Sequence, residues 1–328
     1  MSLRFFYFTN GTEPCIIICQ KYVYCEVSMK RITLLALCLL LLLPAGCASQ
    51  ADSGDDGTLH ILATTYPVYL FARTLTAGAQ DVEVTQLIRE SVSCLHDYTL
   101  TVTDMKAIEK ADVIIMNGAE LEEFMEDALG QTKAVTIDCS EGIDLLPAAG
   151  HAHEDGDEHD HGHFDPHFWL SDEAALVMLN NILHGLSQAD AAHQELYHEN
   201  FSAALAQFPD APLDTSALSC PYLITFHDGF QYFAQDNGLT LLKAIEEEEG
   251  SEASAAEIRE IVALIEEYDI PAIFTEKNGS DSTAQAISRE TGAAVYQLDM
   301  IMSGGGQDIS AYFDALHANY AVIREALG

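Results

Sequence analysis

The feature that most constrains the fold of this chain is a regular alternation of short apolar runs with amphipathic stretches, which begins at Leu59. The short runs have the length and composition of strands, whereas the stretches between them have helical periodicity. The first series consists of strand 59–65, helix 67–79, strand 82–88, helix 101–111, strand 112–118, helix 119–130 and strand 133–139. Repeated strand-then-helix units predict an α/β fold in which helices cover both faces of a parallel sheet.

A second series of the same kind occupies the C-terminal part of the chain. It consists of strand 222–226, helix 229–238, strand 239–246, helix 254–268, strand 272–276, helix 282–292, strand 293–299 and helix 308–327. Between the two series, the run 189–208 contains no Gly or Pro and predicts one long helix. We therefore expect an N-terminal lobe at 58–185, a connecting helix at 186–210 and a C-terminal lobe at 211–328.

The N-terminal segment has the layout of a secretory signal peptide. Within 29–46, two basic residues precede the apolar run 32–43, and this run is shorter than the roughly 20 residues that span a bilayer. The ending Leu-Pro-Ala-Gly-Cys is similar to the bacterial lipobox and predicts lipidation of Cys47, with a polar tether over 47–57. A plain secretory signal cleaved nearby is the alternative. Because a complete signal begins at Met29, residues 1–28 are interpreted as a misassigned translation start.

The charge of the chain excludes some classes of partner. The sequence has 14 Lys and Arg against 52 Asp and Glu, which gives a formal net charge of -38. Such a chain repels nucleic acid and anionic lipid surfaces, so we expect neither as a ligand. An acidic surface favours cations, but it is also an ordinary route to solubility.

The cysteines do not indicate a thiolate metal site. Besides Cys47, the chain after the signal contains Cys94, Cys139 and Cys220. This odd number allows at most one internal disulfide. Because none of the three has C-x-x-C spacing, a thiolate zinc cluster is not expected.

Several metal-ligating side chains follow predicted strands. His96, His227, Glu276 and Asp299 all lie at or just after the carboxyl ends of such strands, which is where open α/β sheets bind ligands. His167 stands in an Asp-Pro-His segment just before a predicted helix. Imidazole is the commonest metal ligand, and a lone histidine of this kind is more often structural. The remaining histidines with polar, helical or strand-start surroundings are interpreted as surface residues: His60, His184, His193, His198 and His317.

A run rich in histidine and acidic residues interrupts the first lobe over 150–164. Its histidines are His151, His153, His159, His161 and His163. Such a composition offers many weak, exchangeable ligands and a negative local potential. It predicts a secondary loop that collects metal, and a solvated insertion without any role is the alternative.

Five segments together resemble the metal-binding lipoproteins of bacterial ABC importers. These are the zinc and manganese solute-binding proteins, some of which were first described as adhesins. The segments are LHDYTLTVTDMKAIEKADVIIMNGAELEEFM, DPHFWLS, LITFHDGFQYF, IPAIFTEKNGS and ISRETGAAVYQLD. The likeness covers essentially the whole chain after Cys47, with the three histidine-containing segments in the family's order. It implies two lobes joined by a rigid helix, a metal site in the cleft between them, and a histidine loop near the entrance of that site.

Carried over residue by residue, the resemblance implies metal ligands at His96, His167, His227 and Asp299. The family often continues Asp-Pro-Leu at the fourth position, whereas here Met-Ile-Met follows, so Glu276 or water remains an alternative ligand. The usual Pro-rich segment after the first histidine is also missing. Three imidazoles favour Zn²⁺, because Mn²⁺ prefers more oxygen ligands, and a Mn²⁺ receptor of the same family is the alternative.

The resemblance further implies a receptor rather than an enzyme. Such a receptor is extracytoplasmic, lipid-anchored to the bacterial cell membrane and monomeric, and it delivers its ion to an ABC permease and that permease's ATPase. A zinc metallohydrolase is an alternative, because a three-histidine site can leave a position for water, with Asp97, Asp228 or Glu276 as base. No H-E-x-x-H motif supports it. An adhesin with incidental metal is a third hypothesis, and no sequence feature marks an adhesive surface.

Overall fold

The computed structural model describes residues 57–89, 98–148, 164–209, 213–244, 253–277 and 279–328. Several predicted features lie outside these ranges. They are the start at 1–28, the signal at 29–46, the lipidation site Cys47, the tether before Gly57, the first predicted ligand His96, and the loop histidines between 151 and 163.

The first four strands form one parallel sheet in the order β2-β1-β3-β4. The strands are β1 Leu59–Ala63, β2 Val82–Gln86, β3 Val113–Met116 and β4 Val135–Asp138. The helices are α1 Tyr66–Leu75, α2 Val102–Lys110 and the short α3 Glu126–Leu129. Helix α2 begins at a capping box, in which Thr101 and Asp104 each accept the other's backbone N–H. The central strands β1 and β3 are largely buried, as expected of a parallel sheet between helices.

Two helices, rather than the one predicted over 186–210, follow this sheet. They are α4 Asp172–Ala189 and α5 Gln194–Leu205. The break falls at Asp190, whose φ of -132° and ψ of 77° leave the helical region. Its carboxylate accepts hydrogen bonds from His193 Nδ1 at 2.7 Å and from the Tyr197 hydroxyl at 2.6 Å. These local bonds offer the chain an alternative to the helical hydrogen bonds, which accounts for two helices in place of the single predicted one.

The last four strands form a second parallel sheet in the order β6-β5-β7-β8. The strands are β5 Tyr222–Thr225, β6 Thr240–Ala244, β7 Ala272–Glu276 and β8 Ala294–Leu298. The helices are α6 Gln231–Asp236, α7 Ala255–Tyr268, α8 Ser282–Thr291 and α9 Ile309–Leu327. The two sheets confirm the predicted α/β architecture, with the strands close to the predicted positions.

The C-terminal helix α9 joins the second sheet to the first. Its buried Tyr312 packs edge-on against Phe71 of α1, with the two ring centroids 5.1 Å apart. The Tyr312 hydroxyl also donates a hydrogen bond to the Trp169 carbonyl at 2.7 Å. Both sheets accordingly belong to one compact unit, Asp56–Gly328.

The two longest described helices, α4 and α9, each bury one side and expose the other. In α4 the residues Met178, Leu179 and Ile182 are fully buried, while His184 faces solvent. This one-sided burial is the pattern of a helix at the surface of a globular core. Over the stretch that the structure describes, no helix has the length and apolar character that a bilayer crossing requires.

Candidate metal centre

Three of the predicted site residues stand where strands of the second sheet end. His227 follows β5 by two residues, Glu276 is the last residue of β7, and Asp299 comes directly after β8. Strands β5, β7 and β8 are parallel, so their carboxyl ends meet at one edge of the sheet. Ligands of open α/β sheets bind at this kind of edge.

His167 reaches the same edge from the long segment between β4 and α4. It precedes one 3-10 turn, which Trp169 anchors because the indole Nε1 donates to the Met300 carbonyl at 2.8 Å. On its other side, the Asn117 side-chain amide after β3 donates to the Pro166 carbonyl at 3.0 Å. Contacts from both sheets therefore hold the backbone around His167.

The imidazoles of His167 and His227 face each other, with their Nε2 atoms 3.2 Å apart. The other ring nitrogen of each histidine meets a carboxylate. His167 Nδ1 lies 2.7 Å from Asp165 Oδ1, and His227 Nδ1 lies 3.2 Å from Glu276 Oε1. The two histidines are 7% and 5% exposed. A carboxylate at Nδ1 favours the tautomer that carries its proton there, which leaves the Nε2 lone pair for a metal ion.

The separation of the two Nε2 atoms matches that of two ligands of one ion. Two nitrogens bound tetrahedrally to Zn²⁺ at about 2.0–2.1 Å lie about 3.3 Å apart, and the observed separation is 3.2 Å. This distance also suits one N–H···N hydrogen bond between the rings. Binding of an ion would thus replace one proton, as it commonly does at histidine sites.

Asp299 is engaged by neighbours within the second lobe. Its Oδ2 lies 3.0 Å from the Lys277 ammonium, and its Oδ1 accepts the Ile301 backbone N–H at 2.8 Å. Asn319 holds the Asp299 backbone, because its Oδ1 accepts the Asp299 N–H and its amide donates to the Asp299 carbonyl, both at 2.8 Å. The role of Asp299 as a ligand stays a prediction.

The described residues contain part of the predicted site. Among them, no group of three or more His, Cys, Asp or Glu side chains is placed to hold a metal ion. The structure brings His167 and His227 together, whereas His96 and the histidines of the loop lie in the segments that it does not describe. A complete site would need at least one further ligand from there or from solvent.

The cysteines within the described ranges are not part of this centre. Cys139 and Cys220 are both buried and free, and Cys94 lies outside these ranges. Burial raises the pKa of the Cys139 thiol well above its usual value, with a further contribution from the charge of Glu122. A neutral buried thiol of this kind is chemically inert.

Glu122 anchors the edge of the first sheet where β1 and β3 end. Its buried carboxylate accepts hydrogen bonds from the Thr64 hydroxyl at 2.6 Å, from Asn117 N at 2.7 Å and from Gly118 N at 3.0 Å. Asn117 in turn supports the backbone before His167. Burial raises the pKa of Glu122 to about 7, although these three hydrogen bonds oppose the rise.

The stability of the metal-free protein is therefore expected to depend on the charge of Glu122. Because its folded-state pKa is raised, its stabilising contribution is complete below the unfolded-state value and is lost as the pH rises through about 7. We expect the advantage of the wild type over Glu122→Gln to shrink by about 2 kcal/mol between pH 5 and pH 8. Denaturant unfolding at several pH values measures it. The exposed Glu126→Gln is the control, and an advantage that does not vary with pH would contradict the prediction.

Sequence reasoning did not identify two charged residues of the centre. The sequence offered a local indication for Asp165, because it stands two residues before His167. In the structure its carboxylate contacts both the backbone N–H and the ring Nδ1 of that histidine. The indication for Lys277 was weaker, because only the register of strands β7 and β8 brings it beside Asp299. Glu276, the alternative ligand, lies 3.2 Å from His227 Nδ1 through its Oε1, and its role as a ligand stays a prediction.

The sequence of this chain matches one protein family and several of its described members. Residues 61–326 match the family described as zinc-uptake complex component A, periplasmic (ZnuA). The high-affinity zinc uptake system protein ZnuA of Bacillus subtilis is 30% identical over 311 residues, which cover 89% of this chain and 96% of that protein. The zinc-binding lipoprotein AdcA of Streptococcus pneumoniae is 28% identical over 315 residues. That match covers 90% of this chain but 61% of AdcA.

Solved structures agree with these sequence matches. A Zn(II)-bound mutant variant of AdcAII from Streptococcus pneumoniae superposes with a TM-score of 0.70 at 26% identity. The superposition covers 83% of this chain and 99% of that one. The fold described above therefore has a counterpart in a solved Zn(II)-bound structure.

Proposed function

Because this chain belongs to the zinc-uptake complex component A family, we propose that it is a receptor that captures Zn²⁺ outside the cytoplasm. It delivers the ion to the permease of an ABC importer, whose ATPase drives uptake. The chain's own role is binding and delivery rather than catalysis.

The observation that carries this proposal is the buried pair of imidazoles. His167 and His227 come from different parts of the chain, yet their Nε2 atoms meet at 3.2 Å. Each has a carboxylate at Nδ1, the arrangement that orients metal-binding histidines. We propose His96 as the third imidazole, from the segment that follows β2, and Asp299 or water as the fourth ligand.

The nature of these donors supports Zn²⁺ over Mn²⁺. Zn²⁺ takes four ligands and accepts imidazole readily, whereas Mn²⁺ prefers more oxygen ligands and a higher coordination number. The two carboxylates that contact the pair, those of Asp165 and Glu276, do so at the Nδ1 atoms. Both act on the ligands from outside, which leaves nitrogen as the dominant donor.

The location of the receptor follows from its N-terminal segment. We propose that signal 29–46 is removed, that Cys47 is lipidated, and that the polar tether to residue 57 holds a monomer at the outer face of the cell membrane. The loop histidines at 151, 153, 159, 161 and 163 collect ions near the entrance. They are not required for tight binding, because the imidazole pair is built from other residues.

Metal titration of the purified protein tests the function. Metal-free protein should bind one equivalent of Zn²⁺ tightly and Mn²⁺ more weakly, measured by competition with chelators. A variant that lacks 151–163 should keep the tight equivalent and lose only weak, additional binding. Tight binding that disappears with the loop would instead show a histidine-rich metal buffer and would refute the proposed receptor site.

A further inference from the structure

A lysine stands at the edge of the sheet that is proposed to bind a cation. The chain has 14 Lys and Arg against 52 Asp and Glu, so basic residues are scarce. Lys277 directly follows Glu276, whose carboxylate contacts His227. Its ammonium lies 3.0 Å from Asp299 Oδ2, and this aspartate is one of the two candidates for the fourth ligand.

The backbone fixes the position of Lys277 beside Asp299. Strands β7 and β8 pair in parallel up to Glu276 and Leu298. The Lys277 N–H continues the ladder by donating to the Leu298 carbonyl at 3.0 Å. The pairing of the two strands thus places the lysine and the aspartate side by side, whatever the side-chain rotamers are.

The second carboxylate oxygen of Asp299 is also in use. Oδ1 accepts the Ile301 N–H at 2.8 Å. Ile301 is buried and has a φ of 59°, a left-handed conformation that a branched side chain rarely adopts. The hydrogen bond from Oδ1 helps to hold this turn. A metal ion at Asp299 would therefore share the carboxylate with the Ile301 N–H and would have to approach it against the charge of the lysine ammonium.

We propose that Lys277 is a specificity-determining residue, which keeps the Asp299 carboxylate out of metal coordination and makes binding depend on imidazole nitrogen. This proposal rests on the proposed function of the same site. The ammonium makes the carboxylate oxygen less accessible to a metal ion. Zn²⁺ binds well to imidazole without this oxygen, whereas Mn²⁺ depends more strongly on oxygen ligands. The lysine thereby widens the preference for Zn²⁺ over Mn²⁺.

The test removes the positive charge and then the carboxylate. Lys277→Gln is expected to raise the affinity for Mn²⁺ about tenfold and that for Zn²⁺ by less than about threefold, because only the oxygen-preferring ion gains a needed ligand. In the double variant Lys277→Gln/Asp299→Asn, the affinity for Mn²⁺ should return to the wild-type value. The single variant Asp299→Asn completes the cycle. Chelator competition with each metal alone then gives four affinities per metal, which isolate the coupling between the two residues.

A matched control is available in the same lobe. Lys243 makes an ion pair of similar length with the exposed Glu260, with Nζ and Oε2 3.2 Å apart. Lys243→Gln should change neither affinity. Unfolding curves of the metal-free variants check that each one folds, as expected for two lysines that are not buried.

Three results would overturn the proposal while leaving the receptor function intact. They are no change of either affinity in Lys277→Gln, an equal gain for both metals, and a Mn²⁺ gain that survives Asp299→Asn. The last two would mean that Lys277 only repels cations through its charge. A wild-type protein without a tight zinc equivalent would refute the receptor function itself and this proposal with it.

Discussion

Replacing His167 with alanine is expected to lower the zinc affinity of the purified protein at least about a hundredfold, which exceeds the usual effect of removing an outer partner of a ligand. The reason is that His167 supplies one of the two facing Nε2 atoms. Its ring is buried, so the alanine leaves a cavity beside His227 instead of another ligand. The same loss is expected for His227→Ala, because neither imidazole alone can hold the ion tightly.

Controls separate loss of the ligand from loss of the fold. His167 also packs near Trp169, with the ring centroids 5.1 Å apart. His167→Gln fills more of the space while providing a weaker ligand, and it should lose affinity to a similar extent. His184→Ala on the exposed side of α4 should leave zinc binding unchanged. Chelator competition measures all three, and tight zinc binding in a folded His167→Ala protein would refute the site.

The sequence was sufficient to predict the architecture because the relevant signals are local. Alternating strand and helix patterns are properties of short segments, and parallel pairing follows from their order. The same logic places polar residues after strands at one edge of the sheet, which is where His227, Glu276 and Asp299 lie. The proximity of His167 to His227, in contrast, is a property of the tertiary structure and has no local sequence signal. It depends on Trp169 and Asn117 holding the intervening segment.

The features that sequence reasoning missed depend on side-chain partners. The run 189–208 contains no Gly or Pro, yet the helix breaks at Asp190, because its carboxylate accepts hydrogen bonds from both His193 and Tyr197. Glu276 has the chemistry of a ligand, and only its contact with His227 Nδ1 indicates an orienting role. Residue type predicts what a side chain can do, whereas its neighbours decide which of these roles it takes.

Asp165 provides the second large effect. Its Oδ1 accepts hydrogen bonds from both the backbone N–H of His167 at 2.9 Å and the ring Nδ1 at 2.7 Å. Its Oδ2 accepts the Gln231 amide at 3.1 Å. Because the carboxylate is almost completely buried, no water readily replaces it. The single oxygen Oδ1 therefore sets both the ring orientation and the tautomer of His167.

Asp165→Ala is expected to lower zinc affinity about 10- to 100-fold, the usual effect of removing a residue that orients a metal ligand. Asp165→Asn keeps an oxygen for Nδ1 but removes the charge, so its loss of zinc affinity should be several times smaller.

Asp190→Ala is the matched control, since Asp190 makes the same 2.7 Å contact with His193 Nδ1 away from the site. It should leave zinc affinity unchanged. If Asp165→Ala bound zinc as tightly as the wild type, the imidazole would be held by packing alone. A loss in Asp190→Ala as large as that in Asp165→Ala would instead indicate a general loss of structure.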